Sequence, residues 1–262
     1  MDYLQQLPQN FLAFSVFLFG LAIGSFANVC IYRMPRQEST VHPRSHCPSC
    51  NHPISIWENI PVISYALLGG KCKHCKQSIS IIYPVIEVLM ACLLTGVFLR
   101  FGLTLEFLIF SVVASAMVII TAIDLEHKII PDLITLPGIG FGLVAGAYLI
   151  GWQDSLLGFL LGGGLFYAIA VLSNGGMGGG DIKFIAGAGA LIGWKKVLIV
   201  IFIGSLIGSV IGLAMIPLLG KNRKSQIPFG PFLAAGLLIV IFMGDRLIQL
   251  YLDLFMAKHN GF

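Results

Sequence analysis

Long apolar runs alternate with short polar stretches along almost the whole chain. A membrane-crossing helix needs roughly 20 apolar residues, with a working range of about 17–25. The runs that approach this length are 11–31, 79–99, 105–123, 133–150, 155–172, 182–193, 197–219 and 232–254. The run at 182–193 is too short to span alone. It is either a half-helix or continues through Trp194 into the next run. The pattern predicts an all-α polytopic membrane protein with about eight transmembrane helices, one of them a short half-helix. The first run is expected to be a retained span and not a cleaved signal. The ten residues before it hold Asp2 and no Lys or Arg, and Gly24-Ser25-Phe26-Ala27-Asn28 leads into more apolar sequence.

One segment breaks the pattern. From Arg33 to Ser78 the chain is polar and carries four of the six cysteines. An insert this small builds little core and usually needs a metal or disulfides. Three regions result: 1–32, a first transmembrane helix; 33–78, a small cytoplasmic insert; and 79–262, a membrane core.

Composition agrees with the periodicity. Of the 262 residues, 57% are hydrophobic and 11% charged, where a soluble domain carries roughly 25% charged residues. The net charge of +4 is spread over short loops, not gathered in one stripe, which argues against nucleic acid. Orientation follows the Lys/Arg excess of inner loops. With the N-terminus outside, the inner loops hold Arg33, Arg36, Arg44, Lys71, Lys73, Lys76, Lys128, Lys183, Lys221, Arg223 and Lys224. The outer side then holds Arg100, Lys195, Lys196, Arg246 and Lys258. N-outside is expected, with eight crossings if the C-terminus is also outside.

The cysteines form two C-x2-C pairs, Cys47-Pro-Ser-Cys50 and Cys72-Lys-His-Cys75, separated by 21 residues. Each pair grips a metal from a tight turn, and two pairs complete a tetrahedral S4 site. Four thiolates leave no open position, so the expected role is one structural Zn2+. The competing reading is two disulfides, which a reducing cytoplasm disfavours. His46, His52 and His74 flank the cysteines as substitute ligands. Cys30 and Cys92 lie in predicted spans and read as small apolar packing residues.

Acidic residues near apolar runs are rare and therefore informative. Asp124 ends the third run; Asp181 ends the loop Gly175-Gly176-Met177-Gly178-Gly179-Gly180 and opens the sixth. The topology puts both at the cytoplasmic face. Two carboxylates in a poorly solvated site do not both ionise easily, so one serves as acid and the other as base toward a shared water. The bland alternatives are an N-cap for Asp181 and a solvated helix end for Asp124. Asp132, after Ile130-Pro131, is expected to cap the fourth helix. Glu87, inside the second run, should face a polar cavity or a partner. Gly204, Gly208 and Gly212 have the spacing that lets helices approach closely, within the chain or across a homo-oligomer.

These motifs, in order, resemble the type IV prepilin peptidases. The resemblance runs through Gly24-Ser25-Phe26-Ala27-Asn28, the two cysteine pairs, Glu58-Asn59-Ile60-Pro61 and Tyr83-Pro84-Val85-Ile86-Glu87. It continues through 124–132, Gly178-Gly179-Gly180-Asp181-Ile182-Lys183 and Ile227-Pro228-Phe229-Gly230-Pro231. It implies an enzyme of the bacterial inner membrane serving pilus, type II secretion and competence systems. Such an enzyme cleaves the leader of prepilins and pseudopilins on the cytoplasmic side, then N-methylates the new N-terminus with S-adenosyl-L-methionine. The resemblance aligns Asp124 and Asp181 with the family's catalytic aspartates and links the four-cysteine insert to methylation. No Rossmann-type glycine loop is visible, so no residue is assigned to the methyl donor. The rival classes are a proton-coupled transporter and a zinc-bearing assembly scaffold, neither of which accounts for all the motifs.

Overall fold

The computed structural model describes residues 7–219 and 228–259; for 216–219, 251–252 and 254–259 only the helical backbone is described. Lys221, Arg223, Lys224 and Ile227, and the side chain of Lys258, lie outside the described residues. The main elements are α1 (Gln9–Arg33), the short α2 (Ile63–Leu67), α3 (Ile82–Phe101), α4 (Leu105–His127), α5 (Asp132–Ile150), α6 (Trp152–Leu172), α7 (Gly179–Leu219) and α8 (Gly230–His259). Seven helical stretches among the described residues are long and apolar enough to cross a bilayer. The protein is therefore a multi-pass membrane protein. Many large apolar side chains on these helices, among them Phe14, Phe19, Val144 and Phe202, are exposed in the isolated chain and suit a lipid surround.

The chain divides into two compact units, Met1–Ile119 and Ile120–Phe262, with the division inside α4. In the first, α1 packs on α3. A Cβ on Gly24 would lie 2.6 Å from the Cα of Glu87, and one on Gly20 would lie 2.6 Å from that of Ala91. The two backbones thus touch where only a hydrogen fits, which fixes the height of Glu87 along α1. Asn28 Nδ2 donates to the Tyr83 carbonyl at 3.0 Å and pins the first turn of α3.

In the second unit, α7 settles the question of the short run. Its backbone breaks at Gly193, at φ 83° and ψ 169°, a conformation suited to glycine. The first half, 179–192, is about 21 Å long at 1.5 Å per residue, short of a ~30 Å hydrocarbon core. It lies beside α5 and α6, where Ser155 Oγ donates to the Ala190 carbonyl at 2.8 Å. The second half, 194–219, turns back. Gly204 sits against Phe232 at the start of α8, and Gly236, one turn further along α8, sits against Val200. The half-helix and its successor are thus separate helical segments divided at Gly193. Gly204 and Gly208 both face Phe232, so α8 of the same chain occupies this glycine face there.

Candidate functional site

The N-terminal end of α7, the C-terminal end of α4 and the start of α8 converge in the second unit. Asp124 sits in the last turn of α4 and is 5% exposed. Its Oδ2 accepts the backbone N–H of Gly230 at 2.9 Å, across 106 residues of sequence. Asp181 sits in the first turn of α7, half-buried, and lies within coulombic reach of Asp124. Ile130 packs between the two supports. A Cβ on Gly180 would lie 2.8 Å from its Cβ, and one on Gly230 would lie 3.1 Å from its Cδ1. The exposed turn 173–178, with Gly175 at φ 86° and Asn174 at φ 50°, delivers the chain to this end. The two aspartates singled out in the sequence are therefore brought together at one end of one helical unit.

Gly230 was not singled out as a site residue. Its N–H anchors Asp124, and its missing side chain leaves room for the carboxylate: a Cβ there would lie 2.6 Å from Asp124 Oδ2. Gly230→Ala is expected to displace the carboxylate and slow the step it serves by about fivefold or more, since overpacking a tight site costs roughly 1–3 kcal/mol. Helix content and membrane insertion should stay as in the parent; an unchanged rate in an activity assay would refute this role.

Asp132 departs from its expected role. It is the first helical residue of α5, Pro131 occupies the cap position, and there is no side-chain cap. Its Oδ1 instead takes Lys183 Nζ at 2.7 Å and accepts from Thr135 Oγ1 at 3.4 Å. The reason is spatial: Lys183, two residues after Asp181, comes down beside the start of α5. This ties α5 to α7 through an ion pair that is half exposed, and such pairs contribute little. Asp181 is likewise not an N-cap, because α7 has already begun at Gly179.

In the first unit the cysteine pairs form two matching turns. Cys47 N–H donates to His52 O at 2.9 Å and Cys72 N–H to Gln77 O at 2.8 Å. Each pair is followed by a residue in left-handed conformation, Asn51 at φ 56° and Lys76 at φ 59°. The four Sγ atoms lie within 4.8 Å of one another, and Cys47 Sγ is 3.8 Å from Cys75 Sγ. Zn–S bonds of about 2.3 Å in a tetrahedron place sulfurs about 3.8 Å apart, so the cluster fits such an ion. The electrostatics agree. The Ser49 N–H draws the Cys47 thiol down to about 6. Cys50 is pushed up to about 11: the His52 N–H pulls it down, but desolvation and the neighbouring thiols outweigh that. Four thiols without a cation cannot all ionise; a divalent ion removes that conflict. The histidines are not part of the cluster: the His52 and His74 rings stack on each other with centroids 3.3 Å apart. Lys73 Nζ meets Glu58 Oε1 at 3.0 Å and, with the Ser55 N–H, holds the Glu58 carboxyl below the usual carboxylate range. Cys30 is buried against its neighbours, while Cys92 lies on an exposed helix face.

Comparison with known proteins finds two family models that match successive parts of the chain. The Bacterial Peptidase A24 N-terminal domain matches residues 18–101, and the Type IV leader peptidase family matches residues 111–213. A prepilin leader peptidase/N-methyltransferase of Pseudomonas aeruginosa is 33% identical, covering 97% of both chains. Proteins of the same name from Aeromonas hydrophila and Bacillus subtilis are 36% and 38% identical, covering 92% and 91% of this chain and 94% and 97% of theirs. The chain belongs to the type IV leader peptidase family. No solved structure matches it. The proton-coupled transporter reading gains no support from these relatives.

Within this family member, one group was legible only in part. Glu87 is expected to face a polar cavity or a partner, and it lines a cavity of the first unit. It is 8% exposed, its Oε2 accepts the Val62 N–H at 2.8 Å, and Ser25 also hydrogen-bonds to it. Gly20 and Gly24, which set its position, carried a readable small-residue spacing in the sequence.

Proposed function

We propose that this family member cleaves the leader of type IV prepilins and pseudopilins with Asp124 and Asp181, and then N-methylates the new N-terminal residue. The convergence of the two carboxylates at one end of the second unit carries the reading. The pair holds one proton between them and titrates as a unit. The charged partner takes a proton from a water that attacks the scissile carbonyl, and the protonated partner supplies the hydrogen bond to the carbonyl oxygen. Burial of Asp124 and the fixed Gly230 N–H restrict its motion, so little reorganisation is needed during the step.

Cys47, Cys50, Cys72 and Cys75 would hold one Zn2+ as a structural ion that gives the 33–78 insert its shape. This insert serves methylation, and 79–262 with the first helix forms the membrane core. S-adenosyl-L-methionine supplies the transferable methyl group. Leader cleavage takes place on the cytoplasmic side of the bacterial inner membrane, with the N-terminus outside. The loop charges and the shared end of Asp124, Lys128 and Lys183 support that sidedness. Substrates are prepilin and pseudopilin precursors presented in the bilayer.

The test is to incubate purified protein with a pilin precursor, with and without methyl donor, and to weigh the products. Leader loss alone without donor, and leader loss plus one added methyl group with it, is the expected outcome. A precursor left intact in both reactions would sink the proposal.

A further inference from the structure

We propose that the cavity of about 420 Å³ within the Met1–Ile119 unit is the methyl-donor site, with Glu87 as the anion facing the donor's positive charge. The inference rests on the methyltransferase reading and adds to it the place and the chemistry of binding. The volume lies in the range of small-molecule and cofactor sites, about 300–1,000 Å³. The walls come from the end of α1, the start of α3 and the cysteine insert, all within one compact unit.

Three observations point to an adenosyl sulfonium. First, Glu87 is a buried carboxylate whose named partners are the neutral donors Val62 N–H and Ser25. Among the described residues no Lys or Arg forms an ion pair with it. Buried carboxylates are ordinarily paired, and a cationic ligand completes the pairing. Second, Val62 donates to Glu87 from φ 61° and ψ −48°, a conformation that β-branched residues rarely adopt. Such conformations gather at ligand sites, where the surrounding structure over-determines them. Third, Tyr65 and Tyr83 line the same cavity, and aromatic side chains suit a purine.

Cys47 and Cys72 form part of the wall, which gives the insert a reason to be rigid. Gly70, at φ 66°, sits against the Tyr65 ring, with a Cβ there only 3.0 Å from its hydroxyl. The transfer is balanced without any further reactant. The lone pair of the neutral pilin amine forms the N–C bond as the S–C bond breaks. The sulfonium leaves as a neutral thioether, and the new ammonium releases a proton to water.

Equilibrium binding to the full chain in lipid nanodiscs tests this. The probes are S-adenosylmethionine, whose sulfonium gives it a net positive charge beside a zwitterionic amino acid end, and 5′-methylthioadenosine, which is uncharged. Glu87→Gln is expected to weaken S-adenosylmethionine by about tenfold or more while methylthioadenosine stays within about twofold, since only the charged ligand loses its partner. A donor carrying an azido-adenine should label peptides within 25–87. Unchanged donor binding in Glu87→Gln, equal loss of both probes, or labelling outside 25–87 would each overturn the site. If the parent protein still methylates pilin in those cases, the methyltransferase reading stands and only the site falls. If the parent neither binds donor nor methylates, that reading itself fails.

Discussion

Replacing Asp124 or Asp181 with Ala is expected to cut leader cleavage by about a thousandfold or more, with the protein still inserted and helical. The two carboxylates act on one water, so removing either removes the step. The double variant should therefore be little worse than each single one, as for residues that work as a unit. Asp132→Asn is the control. Its carboxylate is 57% exposed and, among the described residues, paired with Lys183 and Thr135, so its loss should leave cleavage within about threefold of the parent. A peptide-release assay on a pilin precursor reads all four proteins. Additive losses in the double variant, or full activity in Asp181→Ala, would remove the shared-water mechanism.

The other large effect concerns the cysteines. Metal analysis of the purified parent should find about one zinc per chain, because two C-x2-C pairs make one S4 site. Cys72→Ser with Cys75→Ser should release it. The insert is short of apolar core, with one five-residue helix, two 3-10 turns and two isolated bridges among its described residues. Metal-binding energy there is folding energy. Methylation of pre-cleaved pilin is thus expected to fall by about a hundredfold or more in the double variant. Cleavage should fall far less, because both aspartates lie in the other compact unit. Conversely, Asp181→Ala should still methylate pre-cleaved pilin. Mass spectra of the pilin N-terminus report both activities in one sample. A cysteine variant that loses cleavage but keeps methylation would reverse the assignment of activities to regions.

The sequence by itself determined the helices and marked out the four-cysteine cluster and the two aspartates at apolar boundaries. Spans are legible because lipid demands about 20 apolar residues with every backbone group satisfied internally. The eight runs match the observed helices to within a few residues, including the division of α7 at Gly193. The cysteine cluster is legible because tetrahedral S4 chemistry is written in local spacing. Asp124 and Asp181 stand out because carboxylates at apolar boundaries are costly and therefore rare.

Only the tertiary structure decided the relations between distant segments. Nothing in the spacing says that Gly230 would donate to Asp124 across 106 residues. Nor does it say that Lys183 would draw Asp132 away from capping. The spacing of Gly204 and Gly208 favours another helix of the chain over a second copy without saying which helix, and the position of Phe232 assigns them to α8. The cavity around Glu87 depends on the backbone approach of α1 and α3 at Gly24 and on the γ-turn at Val62, where Ile63 N–H donates to Pro61 O at 2.6 Å. Local pattern records which groups each helix carries. Packing, a sum of close contacts between residues far apart in sequence, sets which of those groups meet.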